Sequence, residues 1–487
     1  MDRTPSRPST RNSGDLYSQL FNAPGVPGGR RPDPQPTTQT HLNPGTAPSP
    51  GVPGQIAAPV APVSLAASGL PLMQICHLVL KQLYLQGAAL GIDLARQLRL
   101  PFPVVDEALL FLKDERLLEV SSGELLGRPS YRFSLGEQGR VRAKDAFEQC
   151  RYVGPAPVSL EAYVRQCSLQ TVTGVDCDAK SLTAAFHDLV MRPGLLNELG
   201  PAVCSGRSIF IHGPPGNGKT LVAKGLGRFL NRFGGEIYVP YALLAENSII
   251  TLFDPTLHTA TDTDEPAVPT GPVTERSRLL NENPIDLRWR KIRRPVIITG
   301  GELNLEMLDL RYSATGNFYQ APLHIKANGG VFLIDDFGRQ IVSPRELLNR
   351  WIVPLEERID YLSLATGKKF ALPFEQLTIF STNLDPRELV DEAFLRRIRH
   401  KIAIDTPDRA LFTEIFRFSC QQRHIAFHQG AVDYLYTSYY DYGKPPRSSD
   451  ARDLLEIIQS ICRFRRQDVV LSEELLAEAT HQFFCQT

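Results

Sequence analysis

One stretch restricts the fold of this chain more than any other. Ser208-Ile-Phe-Ile-His212 runs straight into Gly-Pro-Pro-Gly-Asn-Gly-Lys-Thr, and Leu221 to Phe233 then repeats apolar residues at helical spacing. A short buried strand, a glycine loop and a helix make a unit whose loop amides, helped by the positive end of the helix, close around phosphate groups. In that unit Gly213, Gly216 and Gly218 let the backbone approach, with Pro214, Pro215 and Asn217 between them. Lys219 is placed to reach the β- and γ-phosphates of a nucleotide, the Thr220 hydroxyl to ligate magnesium, and Leu221 follows at the loop's edge.

Such a loop alone does not separate kinases, GTPases and mechanical ATPases, so the later segments decide. Gly330-Val-Phe-Leu-Ile-Asp335-Asp336 is an apolar strand ending in two carboxylates. Asp335 suits magnesium, because a hard cation takes oxygen ligands, and Asp336 suits orienting and deprotonating a water. The next strand, Leu377 to Asn383, ends in an amide that can hold that water or a γ-phosphate; a turn asparagine is the plainer alternative. Asp385-Pro-Arg-Glu starts a short helix leading to the basic run Arg396-Arg397-Ile-Arg-His-Lys. Beyond Thr406-Pro-Asp-Arg the signals are helical, and Ser448-Ser-Asp450-Ala-Arg452 is a capped helix start.

In this order the segments resemble the Walker A, Walker B, sensor 1, arginine-finger and sensor 2 motifs of AAA+ ATPases, over roughly Pro157 to Gln486. The resemblance implies a P-loop α/β core with a parallel sheet and a C-terminal helical lid. It also implies ATP and Mg2+ as ligands and self-association into a ring, a hexamer by family habit. Asn383 takes the sensor 1 position, Arg397 (with Arg396 second) the finger reaching a neighbour's γ-phosphate, and Arg452 the sensor 2 position. Most family members carry glutamate where Asp336 stands, so the shorter acid implies slow hydrolysis or a shifted water. Two departures are visible. Lys219 and Asp335 stand 116 positions apart (219 to 335), which marks an insertion at about 245–325. Tyr361 to Leu372 alternates about Gly367, a hairpin at 359–373 that resembles the branch containing MoxR-type chaperones.

Composition sets the rest. Residues 1–64 carry 13 of the 38 prolines and few aromatics, too little apolar surface to offset chain entropy, and read as a disordered arm. Residues 65–153 give three helices and two short strands, a winged-helix-like α+β domain; 154–404 is the α/β core and 405–487 the lid. Lys113 and Arg116 on and after the third helix are offset by Asp106, Glu107, Asp114 and Glu115, which favours a protein client over nucleic acid. The basic residues Arg128, Arg132, Arg140 and Arg142 near the wing keep DNA as the alternative. Lysine plus arginine balance aspartate plus glutamate at 53 each, so no whole-chain field draws polyanions. Eight scattered cysteines without CxxC pairs read as reduced thiols, and no window of roughly 20 apolar residues exists to span a bilayer; a cytoplasmic protein is expected.

The expected activity is thus remodelling of a macromolecular client, chaperone-like. A DNA-associated ATPase and a slow nucleotide-gated scaffold are the rivals.

Overall fold

In a computed structural model, residues 56–121, 128–261, 285–389 and 392–484 are described. Most of the arm expected at 1–64, the tip of the wing and much of the polar stretch Thr259 to Thr274 lie outside them. The apolar runs of the core form β1 (Ile209–His212), β2 (Val296–Thr299), β3 (Val331–Ile334), β4 (Leu377–Thr382) and β5 (His400–Ala403). They hydrogen-bond in the order β2-β3-β4-β1-β5, each pair parallel. Central strands of such a sheet are covered on both faces, which is why β3 and β4 read as unbroken apolar runs and are buried at every residue. One face packs on helix α1 (Lys219–Phe233) through Val222, Leu226 and Phe229; the other on a cluster around Phe337, Trp351 and Phe374.

The stretch 245–325 is not one insertion. Val296–Thr299 belongs to the core sheet, paired with Val331–Ile334, because its apolar residues gain more on the sheet edge than in a separate lobe. The inserted part contributes strands to a second sheet in which Arg311–Ser313, Phe318–Gln320, Ser248–Thr251, Ala242–Ala245 and Val158–Ser159 are neighbours. The hairpin Ile359–Ser363 with Lys369–Pro373 packs Leu362, Phe370 and Leu372 into the core of that sheet. Tyr319 is buried, and its hydroxyl accepts the Ala365 amide (3.0 Å); Phe318 meets Tyr152 edge-on at 5.9 Å. These aromatics are therefore packing groups. Between the acids and the hairpin, the helices Pro344–Arg350 and Ile352–Glu357 meet at Trp351, whose indole ring is fully buried.

Residues 72–149 form a winged-helix-like domain. Helices Leu72–Gln86, Gly91–Leu98 and Phe102–Asp114 pack on a small sheet of Ala88–Leu90, Arg132–Leu135 and Leu118–Ser121. The strand Ala88–Leu90, too short to alternate visibly, is legible only in the sheet. Ala242, Ile249 and Phe318 of the inserted sheet join this domain's core, and the buried Arg288 donates to the carbonyls of Ser68 and Pro157 (3.1 and 3.0 Å). The lid comprises Arg409–Gln422, Gln429–Ser438, Ser448–Arg465 and Glu473–Phe484 around Phe412, Phe416, Leu454 and Ile458. Among the described residues no helix is long and apolar enough to cross a membrane.

Candidate functional site

The glycine loop leaves β1 at Gly213, whose φ of +139° only glycine adopts readily; a Cβ there would lie 2.2 Å from the Ile404 carbonyl oxygen. Gly216 (φ +84°) is as constrained, since its Cβ would stand 2.8 Å from the Ser449 Oγ of the lid. At these two positions the loop fits between the end of β5 and the lid only without a side chain. Lys219 begins α1 and folds back, donating from Nζ to the carbonyls of Gly213 (2.9 Å) and Pro214 (2.7 Å). Burial lowers its pKa, and the carboxylates of Asp336 and Asp335 pull it back up. Among the described residues its side-chain partners are the Gly213 and Pro214 carbonyls, and a cation so held over the glycine loop is arranged to take phosphate oxygens.

Asp335 and Asp336 follow the last residue of β3. The Thr220 hydroxyl donates to Asp335 Oδ1 at 3.0 Å, so the two oxygen donors expected for magnesium meet although they are far apart in sequence. Hydroxyl and carboxylate oxygens fit that hard cation. Asp336 sits in the left-handed region (φ +51°), which turns its carboxylate toward β4, and Asn383 Nδ2 donates to its Oδ1 at 2.9 Å. The junction is locked by the Phe337 amide on the Ser381 carbonyl (2.7 Å) and the Thr382 hydroxyl on the Phe337 carbonyl (2.6 Å). The second acid and the amide after β4 are thereby one hydrogen-bonded pair, placed by the parallel register of β3 and β4.

A cavity of about 700 Å³ opens above this pair. Pro215, Gly216, Asn217, Gly218, Lys219, Thr220, Leu221, Asp336, Asn383 and Arg452 line it. From the lid, the Ser449 amide donates to the Gly216 carbonyl (2.8 Å) and the Ser448 amide to Asn217 Oδ1 (3.1 Å), so the lid helix abuts the loop. Arg452, one turn in, is more than half exposed and pairs with Asp453 at 2.8 Å. Two walls escaped the sequence reading: Asp188 to Pro193, and Leu411, Ile415 and Phe418 of the lid helix. Nothing in Asp-Leu-Val-Met-Arg-Pro distinguishes it from an ordinary connection; only its position against α1, where Asp188 pairs with Arg228, makes it a wall.

Arg396 and Arg397 do not line the cavity of their own chain. Arg396 is exposed, and Arg397 Nε donates to Glu356 at 2.6 Å.

The strand order, the glycine loop between β1 and α1, the acids after β3 and the lid after β5 together decide the architecture. It is a five-stranded parallel sheet with a glycine loop after its β1 strand and a helical lid, the architecture that the resemblance to AAA+ ATPases implies. A family model described as a domain of unknown function (DUF8689) matches residues 408–482, the lid. No curated protein matches the chain. Among solved structures, the chain is similar to NtrX from Brucella abortus in complex with ADP (16% identity, TM-score 0.34, 60% of this chain and 56% of that one). It is also similar to domain III of the Thermotoga maritima replication initiation protein DnaA (13%, TM-score 0.34, 63% and 98%). A third similarity is to the Thermotoga maritima Holliday junction branch migration motor RuvB (12%, TM-score 0.30, 66% and 71%). The chain spans little more than half the length of the NtrX chain it matches.

Proposed function

We propose that this chain is an AAA+ ATPase that binds ATP with Mg2+ in the cavity above Lys219, hydrolyses it as a ring-forming oligomer, and uses the resulting motion to remodel a macromolecular client. The observation that carries the reading is the convergence of Thr220 on Asp335 and of Asn383 on Asp336 beneath a glycine loop closed by the lid. Lys219 exchanges its loop carbonyls for β- and γ-phosphate oxygens. Thr220 and Asp335 would hold magnesium, which when bound offsets phosphate charge. Asp336 Oδ1, released from or shared with Asn383, accepts the proton of the attacking water while the Asn383 amide orients it. Being a methylene shorter than glutamate, Asp336 gives slow turnover. The chain's own cavity lacks an arginine from the 396–397 pair, which supports donation of Arg397, or of Arg396, from a neighbouring copy.

A protein client is favoured over nucleic acid. The outward residues of the helix Phe102–Asp114 include Glu107 beside Lys113 and Asp114, and Asp106 holds Arg128 at 2.8 Å. Duplex DNA readers need unpaired cations there. The chain is accordingly expected to elute from immobilised duplex DNA at low salt without a steep salt dependence; tight retention at 50 mM salt that collapses by 200 mM would transfer the proposal to a DNA-associated ATPase.

The decisive measurement is the steady-state ATPase rate per subunit against protein concentration, for wild type and Arg397→Ala. The wild-type rate is expected to rise with concentration, and the variant to lose on the order of a thousandfold at every concentration while still binding nucleotide. A wild-type rate independent of concentration and unaffected in Arg397→Ala and Arg396→Ala would overturn the shared site; binding without turnover would leave a nucleotide-gated scaffold.

A further inference from the structure

Two thiols stand near each other at the edge of the core that covers β1. Cys204 is the last residue of the helix Leu195–Cys204 and is exposed; Cys177 lies half-buried in the loop before the helix Ala179–Ala185. The Cys204 thiol donates to the Cys177 carbonyl oxygen at 3.9 Å. Both backbones are pinned. Val172 and Val203 share one core, and Gly206 (φ +57°) lets the loop close on the helix end, since a Cβ there would lie 2.7 Å from Thr173 Cγ2. Asp178 caps the next helix by accepting the Ser181 amide at 2.7 Å. Cys76, Cys167, Cys420 and Cys462 are buried and Cys150 is half-buried, so among the described cysteines Cys204 is the exposed one, with Cys177 beside it.

The segment between the two cysteines carries a wall of the nucleotide cavity. Asp188 to Pro193 and Leu195 line it, and Asp188 ties it to α1 through Arg228. We propose that Cys177 and Cys204 are a redox-active dithiol whose oxidation cross-links the two ends of this wall segment and weakens nucleotide binding by restraining it. The oxidant is a small disulfide such as oxidised glutathione. The Cys204 thiolate attacks one sulfur of it, forming a mixed disulfide and releasing one thiolate. Cys177 then attacks the Cys204 sulfur, its proton passing to the second released thiolate, so that two protein thiols become one disulfide and the small disulfide becomes two thiols. Burial, with the Cys204 thiol next, pushes the Cys177 thiol up to about 12, which assigns the first attack to the exposed Cys204. A bridge needs Cβ atoms about 3.5–4.5 Å apart, and the Cys204 sulfur already lies against the Cys177 backbone.

The test uses the full-length protein equilibrated with a glutathione redox series, acid-quenched and peptide-mapped by mass spectrometry, with Cys177→Ser and Cys204→Ser in parallel. The expected product is a Cys177–Cys204 bridged peptide in wild type. Cys177→Ser should stop at a Cys204–glutathione mixed disulfide, and Cys204→Ser should form neither. Wild type that stops at the mixed disulfide, or bridges only in denaturant, overturns the dithiol. Binding of a fluorescent ATP analogue should be weaker by about fivefold in the bridged form, restored by a reducing agent and unchanged by oxidant in Cys177→Ser; an affinity that is unchanged or tighter overturns the regulatory role. The bridge does not depend on the nucleotide reading, whereas its effect on binding does: reduced protein that binds no nucleotide would sink the proposed function and leave the mapped bridge standing.

Discussion

Lys219→Ala is expected to lower steady-state ATP hydrolysis by on the order of a hundredfold or more, the scale seen when one preorganised donor to developing charge is removed. The physical reason is the position of Nζ, held over the loop by the carbonyls of Gly213 and Pro214 and flanked by the carboxylates of Asp335 and Asp336. Without it, nothing in the loop supplies a full positive charge to the β- and γ-phosphates. The same side chain is a burden to the nucleotide-free fold, because burial lowers its pKa and so disfavours its charged form. Lys219→Ala should therefore melt no lower than wild type without nucleotide, while the rise in melting temperature caused by ATP and Mg2+ disappears. Calorimetry with and without nucleotide, beside the hydrolysis assay, checks both halves. A variant that melts lower without nucleotide, or that still hydrolyses at the wild-type rate, contradicts this account of Lys219.

Asp360→Ala is expected to destabilise the chain by about 3–5 kcal/mol, the cost of leaving a buried partner charge uncompensated. Asp360 is fully buried on the first hairpin strand. Arg350 donates to both its oxygens (2.5 and 3.1 Å), and His324 Nε2 lies 2.7 Å from Oδ2. The three residues come from the helix after the acids, the hairpin, and the short helix Leu323–Lys326 ahead of β3. The pair thus ties the hairpin to both flanks of the strand that carries Asp335. Burial alone would push the Asp360 carboxyl up, but the His324 and Arg350 bonds outweigh it and the net shift is downward. The sign follows: stability from this carboxylate is present above its unfolded value of about 3.9 and is lost as pH falls through the lower folded value. The gap in melting temperature between wild type and Asp360→Ala should hold steady from neutral pH to about 5 and narrow only below about 4. Thermal melts across that range test it, and a gap that closes near neutrality would rule out the carboxylate as its source.

The glycine loop, the paired acids and the polar end of β4 were legible in the sequence because their chemistry is local. A strand, a loop needing positive φ and a helix start are adjacent in the chain, so Gly213 to Thr220 can be read without knowing what surrounds them. The hairpin around Gly367 is local in the same sense. Strand order was not legible. Val296–Thr299 reads like any apolar run, and only pairing with Val331–Ile334 makes it part of the core sheet. The cavity walls at Asp188 to Pro193 and at Leu411, Ile415 and Phe418 carry no chemistry of their own; they matter because packing places them beside the loop. The pairing of Asp336 with Asn383 and the approach of Cys204 to Cys177 are likewise products of tertiary structure. The sequence by itself determined which groups make up the glycine loop and the acid pair, since that depends on residue type and on spacing within one turn of chain. Tertiary structure alone decided what surrounds them, because a contact between residues far apart in the chain is set by the packing of whole elements and leaves no local pattern to read.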